Sequence, residues 1–180
     1  DRKSGSAGTS DLVTNGSTLV AKLVPKILDS LYGTIIASHM TPTQESYQFR
    51  GEVRLSWDRY ISNLRLLIRE YMKRLAKGTE IKSEIVIRVM ATQNTASNVV
   101  VTDNSNEARA ILKEWNDFVA EVEQELGMSS FKRKDHNDSD LLKENRYRTV
   151  SYPLQKGIKL KFWRAFTFAN TRVSEDFELK

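Results

Sequence analysis

The chain contains no cysteine, which excludes both a disulfide framework and a thiolate metal site. Its two histidines, His39 and His136, stand far apart in sequence and offer no metal-ligating spacing. The eight glycines are scattered. No GxxxxGK[ST] loop, GxGxxG turn, nucleophile elbow or HExxH helix occurs among them. The expectation is a protein that is not an enzyme, with no cofactor and no small-molecule substrate. Long apolar runs are missing as well: the longest candidate, Leu19 to Ala37, is interrupted by Lys22, Pro25, Lys26 and Asp29, short of the roughly 18–20 apolar residues that span a bilayer. Nothing resembles a signal peptide, and the sequons at Asn15 and Asn137 are of a length that arises by chance. This reads as an intracellular protein, neither secreted nor membrane-spanning.

What is present is one domain's worth of apolar sequence, 39% of 180 residues, and an uneven charge. The net charge is +5, and Arg59 to Lys77 alone carries six basic residues against Glu70, which accounts for all of it. At 100° per residue this stretch puts Tyr60, Ile61, Leu64, Leu67, Ile68, Tyr71, Met72 and Leu75 on one helical face and Arg65, Arg69, Lys73 and Lys77 on the other. Asp58 before it and Gly78 after it suit a helix start and stop. A second amphipathic helix, Asn106 to Leu126, has its apolar stripe at Ile111, Leu112, Trp115, Phe118, Val119, Val122 and Leu126, ends at Gly127, and is acidic where the first is basic.

Around these helices the pattern predicts an N-terminal arm, Asp1 to Gly16, and a single globular α+β domain from 17 to 180. Ser17 caps an expected helix from Thr18 to Tyr32, which Pro25 either kinks or splits so that its second half starts at Val24 or Pro25. Thr34 to Met40 is apolar without a clear period. Tyr47 to Trp57 alternates as a strand leading into the central helix, and Ile81 to Met90 alternates after it, giving a strand-helix-strand unit. Val99 to Thr102 is a short β-branched run. Met128 to Asn145 is a polar loop, and Tyr147 to Leu154 with Ile158 to Phe168 form a hairpin turning at Gln155-Lys156-Gly157. The helices are expected to pack on a mostly antiparallel sheet, with the arm flexible.

Function is then read from surfaces. The stripe Arg65, Arg69, Lys73 and Lys77 can follow a phosphate backbone or lie on an anionic bilayer. Lys132, Arg133 and Lys134 form a loop cluster, and Lys159, Lys161 and Trp163 share one face of the last strand as a second basic strip with an aromatic. Opposite charge on the acidic helix, at Glu114, Asp117, Glu121 and Glu125, suggests complementary contacts between neighbouring copies, with Leu12 and Val13 anchoring the arm. The expected partners are the chain itself, RNA or a ribonucleoprotein, and an anionic membrane surface.

The succession FRGEVRLSW, ISNLRLLIREYMKRLAKG and SEIVIRVMA, within Tyr47 to Met90, resembles the opening of the globular core of rhabdovirus matrix proteins. The resemblance covers about a quarter of the chain and rests on order and pattern, with no diagnostic motif. The PPxY-type segment and the lysine-rich arm of many animal members are absent, and the arm here carries only Arg2 and Lys3. The resemblance implies a non-enzymatic virion protein of the host cytoplasm or nucleus that self-associates, contacts the inner membrane leaflet and condenses the ribonucleoprotein. A coat or nucleocapsid protein that encloses RNA would share the arm, the cationic faces and the complementary charges. A cellular adaptor or nucleic-acid-binding module is the third reading.

Overall fold

The computed structural model describes residues 9–39, 44, 47, 55–92, 101–102, 106–133 and 150–164. In chain order the elements are β1 (Ser10–Thr14), α1 (Val24–Ser30), β2 (Gly33–His39), α2 (Trp57–Ala76), β3 (Ser83–Thr92), β4 (Val101–Thr102), α3 (Asn106–Glu125), β5 (Val150–Gln155) and β6 (Ile158–Arg164). The fold is α+β, with one six-stranded sheet in the order β1-β2-β3-β6-β5 and β4 pairing with β3.

The sheet is mostly parallel, which corrects the antiparallel expectation. β1 with β2, β2 with β3, β3 with β4 and β3 with β6 all run parallel, and only β5 with β6 is antiparallel. The cause is the connections. β1 is followed by α1 and β2 by α2, and a helical crossover returns the chain to the same end of the sheet. Successive crossovers of one hand that step in one direction leave their helices on one face. Ile35, Ala37 and His39 of β2, Ile85, Ile87 and Val89 of β3, and Ile158, Leu160 and Phe162 of β6 are buried on that face. They meet Leu64, Leu67, Ile68 and Met72 of α2 and Trp115, Val119 and Val122 of α3 in one continuous core.

Two strands stand where none was expected. Ser10–Thr14, assigned above to the arm, is an edge strand in register with Gly33 to Ala37, so the boundary at Gly16 cuts through a folded unit; residues 1–8 lie outside the described residues. Gly33–His39 lies between β1 and β3, and adjacent Ile35 and Ile36 erase the period-2 alternation that marks a half-exposed strand. Among the described residues the strand that precedes α2 is β2. Tyr47 has helical backbone and Trp57 opens α2, while residues 48–54 lie outside the described residues.

The helices follow their local chemistry. Pro25 sits in the first turn of α1, where its missing N–H costs nothing, so the helix begins at Val24 and the chain from Thr18 to Leu23 turns instead. Ser56 caps α2 by accepting from the Arg59 N–H. Both long helices close on a glycine in the left-handed region: Thr79 N–H donates to Arg74 O and Gly78 N–H to Leu75 O, each at 3.0 Å, and Gly127 and Met128 repeat the pattern on Gln124 and Glu123.

The β5–β6 hairpin turns through Lys156-Gly157, with Gly157 at φ +76. A Cβ there would fall 2.0 Å from the Tyr71 hydroxyl, which donates to the Ser83 carbonyl at 2.9 Å. Gly157→Ala is therefore expected to cost about 2–4 kcal/mol, combining left-handed strain with displacement of a buried, hydrogen-bonded ring. Urea denaturation reads the loss. Tyr71→Phe in the Gly157→Ala background should recover part of it, because the hydroxyl oxygen is the closest obstacle; a single variant as stable as the parent would mean that the turn yields freely.

Candidate functional site

The cationic and anionic helices meet inside one molecule. Arg65 on α2 reaches Glu114 on α3 at 3.2 Å, and Arg69 pairs with Glu125. The Arg65 and Arg69 guanidinium groups also stand over the Phe118 ring, 5.2 and 6.0 Å from its centroid. Half of the cationic stripe is thus a seam between α2 and α3, and two of the acidic residues assigned to contacts between copies are occupied within the chain. Lys73 bonds Glu70 at 2.6 Å, and Lys77 is exposed beyond the last turn. Asp117 pairs with Lys113 at 2.5 Å along α3, and Glu121 is exposed. Arg74, which was not placed on the stripe, bonds Asp29 at 2.8 Å and Pro25 O at 3.2 Å, tying α1 to α2.

The loop cluster divides in the same way. Lys132 is exposed, Lys134 lies outside the described residues, and Arg133 turns inward. Its guanidinium donates to buried Glu123 at 2.5 Å and to Leu154 O at 3.1 Å, while Gln155 gives Glu123 a second donor at 2.6 Å. Arg133 is therefore a structural ion pair, a correction to its reading as a polyanion contact.

The sheet face away from the helices carries the remaining candidates. Register aligns them in rows: Ser38, Arg88, Lys161 and Ser151 form one, and Val13, Ile36, Val86, Lys159 and Pro153 the next. Asp11, Thr34 and Glu84 lie below them. Asp11, Thr34, Ile36, Glu84, Val86, Arg88, Lys159 and Lys161 line a depression of about 300 Å³ on this face. Lys159 is held by Glu84 at 2.7 Å, and Arg88 donates to Ser38 Oγ at 3.1 Å. Lys161 is half-buried directly beside Arg88. Trp163 belongs to β6 opposite Met90, but its side chain lies outside what is described. Sequence reasoning put Arg88 on the outward parity of its strand without counting it as a site residue. Only the parallel register between β3 and β6 brings it against Lys161.

At the carboxyl end of β2 an aromatic cluster encloses His39. Its ring stacks on Tyr60 and Trp57 at centroid distances of 5.5 and 6.2 Å and meets Trp115 at 5.7 Å with the planes nearly perpendicular. Nδ1 lies 2.7 Å from the Tyr60 hydroxyl, which donates onward to Ser38 O at 3.2 Å. Burial lowers the His39 pKa to about 3. Burial, with a smaller contribution from Glu84, raises that of Tyr71. Among the described residues no group of three or more His, Asp or Glu side chains is placed to hold a metal ion, and no helix is long and apolar enough to cross a membrane.

Comparison of the chain with protein-family models, with curated proteins and with solved structures gives no match.

Proposed function

We propose that the chain is a non-enzymatic viral structural protein that assembles with copies of itself and binds polyanions, ribonucleoprotein and the inner membrane leaflet, in the manner of a matrix protein. The observation that supports this reading best is the row Ser38, Arg88, Lys161, Ser151 on the sheet face away from the helices. Like charges directly opposite one another on neighbouring strands repel. An arginine beside a lysine, flanked by two hydroxyls, concentrates positive charge in one row of the sheet, and a polyanion is the partner that such a row attracts. The exposed Lys77 and Lys132 extend the positive field beyond it.

Lys161→Gln removes one of the paired charges from an outward-facing position and leaves the helical core intact. Near an anionic bilayer a lysine contributes about 1 kcal/mol, so flotation with phosphatidylserine vesicles should weaken roughly fivefold. RNA retention should lose about one unit of its log-log salt slope if the same charge contacts phosphate. A folded variant that floats and retains RNA as the parent does would remove this face from the proposal. Saturable packaging of RNA at fixed stoichiometry, with no vesicle binding by the parent, would replace the matrix reading with that of a coat protein.

A further inference from the structure

β1 ends the sheet, and among the described residues nothing hydrogen-bonds to its outer side. The Ser10 N–H donates to Tyr32 O at 2.7 Å, which fixes the direction of the alternation: Ser10, Leu12 and Thr14 bond inward to β2, so the N–H and C=O groups of Asp11 and Val13 point away from the sheet. Free edges are usually blunted by lysine, proline or a bulge. SDLVT has none of these, and its register with β2 runs unbroken from Ser10 to Thr14. The side chains add a second observation. The exposed large apolar residues among those described are Val13 (57%), Tyr32 (47%) and Leu23 (39%), and all three belong to the β1-α1-β2 end of the molecule.

We infer that this edge pairs with the same edge of a second copy, antiparallel about a two-fold axis through Leu12. This rests on the self-association proposed above and names its surface. The register follows from which groups point outward. With the axis at Leu12, Asp11 faces Val13 of the other copy, and each such pair exchanges two backbone hydrogen bonds, so every outward group of both residues is satisfied. An axis at Asp11 would set the two Asp11 carboxylates against each other. An axis at Val13 would leave Asp11 facing Asn15, beyond the end of the strand. With the axis at Leu12, like charges are not opposed and the two Leu12 side chains meet as a non-hydrogen-bonded pair on the helix side, while Val13 is covered on the side away from the helices. The two sheets become one continuous sheet.

Because the chain has no cysteine, Leu12→Cys introduces a single thiol, and the proposed axis puts its Cβ about 4.5–5.5 Å from its symmetry mate, near disulfide range. Mild oxidation of the full chain should convert this variant largely to a covalent dimer, and Val13→Cys, whose mate lies diagonally across the axis, should cross-link at least several-fold more slowly. Sedimentation supplies the independent measure. Val13→Lys and Val13→Pro both act on the outward side, the proline removing a donor that the β1–β2 ladder does not use, so both should melt close to the parent and shift toward monomer. Oligomers that persist in both variants, or cross-linking as fast at Val13 as at Leu12, overturn the edge while leaving self-association standing. A parent that sediments as a monomer at tens of micromolar overturns both.

Discussion

Replacing Glu123 by alanine should destabilise the fold by about 3–5 kcal/mol, the range for breaking a buried ion pair by removing one partner. The carboxylate is among the few buried charged groups of the described residues, and it accepts from Arg133 at 2.5 Å and from Gln155 at 2.6 Å. Deleting it strands a guanidinium whose side chain is only 13% exposed and an amide that is itself buried. The pair also has a mechanical role: it joins the last turns of α3 to the segment at Phe131–Arg133 and to the end of β5, where Arg133 holds Leu154 O at 3.1 Å. Glu123→Gln keeps an acceptor oxygen and should lose less. A Glu123→Leu, Arg133→Leu double variant should lie well above the single alanine, since two apolar side chains of similar volume leave no buried charge. Urea denaturation of the three variants measures this; an alanine variant within about 1 kcal/mol of the parent would mean that water reaches Arg133 and that the pair is a surface one.

The elements that could be read from sequence are those whose neighbours did not matter to the signal. α2 announces itself through an unbroken 3.6-residue apolar stripe, and seven of the eight residues assigned to that stripe are buried, with Leu75 partly so. The β5–β6 hairpin is likewise local, set by alternation and by Lys156-Gly157. β1 and β2 were illegible for different reasons: the first is five residues long, next to a Gly- and Ser-rich stretch, and the second sets Ile35 and Ile36 side by side, which blurs the period-2 alternation. Their parallel pairing is a long-range property that no window of sequence contains. The charges divide in the same way. Complementarity between α2 and α3 was visible, but whether Arg65 meets Glu114 within one chain or across two depends on how the helices pack.

The burial of Glu123 is not among the sequence expectations, although the wheel holds a sign of it. Glu123 falls about 20° from Leu112 on the wheel of α3, at the border of the apolar stripe, so its position argued against solvent even though its chemistry argued for it. Arg133, by contrast, shares a basic triplet with its neighbours, and nothing in that triplet singles out the one side chain that turns inward. The basic row on the sheet required both kinds of knowledge. Parity separates Glu84, Val86 and Arg88 from the core side of β3, but the basic row exists only because β6, which lies late in the chain, inserts beside β3 ahead of β5.

Stability should fall steadily as pH drops below about 6.5, and His39 should be the residue responsible for a separable part of that fall. In the folded chain its ring is enclosed by Trp57, Tyr60 and Trp115, and burial lowers its pKa from 6.5 to about 3. The unfolded chain keeps the ordinary value and takes up a proton that the folded chain refuses. The contribution is therefore fully present above pH 6.5 and is lost as pH falls toward 3, at about 1.4 kcal/mol for each pH unit while only the unfolded state is protonated. At pH 4.5 the loss from this one group approaches about 2–3 kcal/mol, a large share of an ordinary domain's stability. Carboxylate titration adds its own slope, so the comparison has to be internal. His39→Phe keeps an aromatic ring in the cluster and leaves the Tyr60 hydroxyl its bond to Ser38 O, while removing the titrating group. Between pH 6.5 and 4.5 the free energy of unfolding of the parent should descend more steeply than that of the variant by nearly one proton's worth, and the two curves should run parallel above pH 7.5. Parallel curves throughout would mean that the ring reaches solvent often enough to be protonated in the folded state.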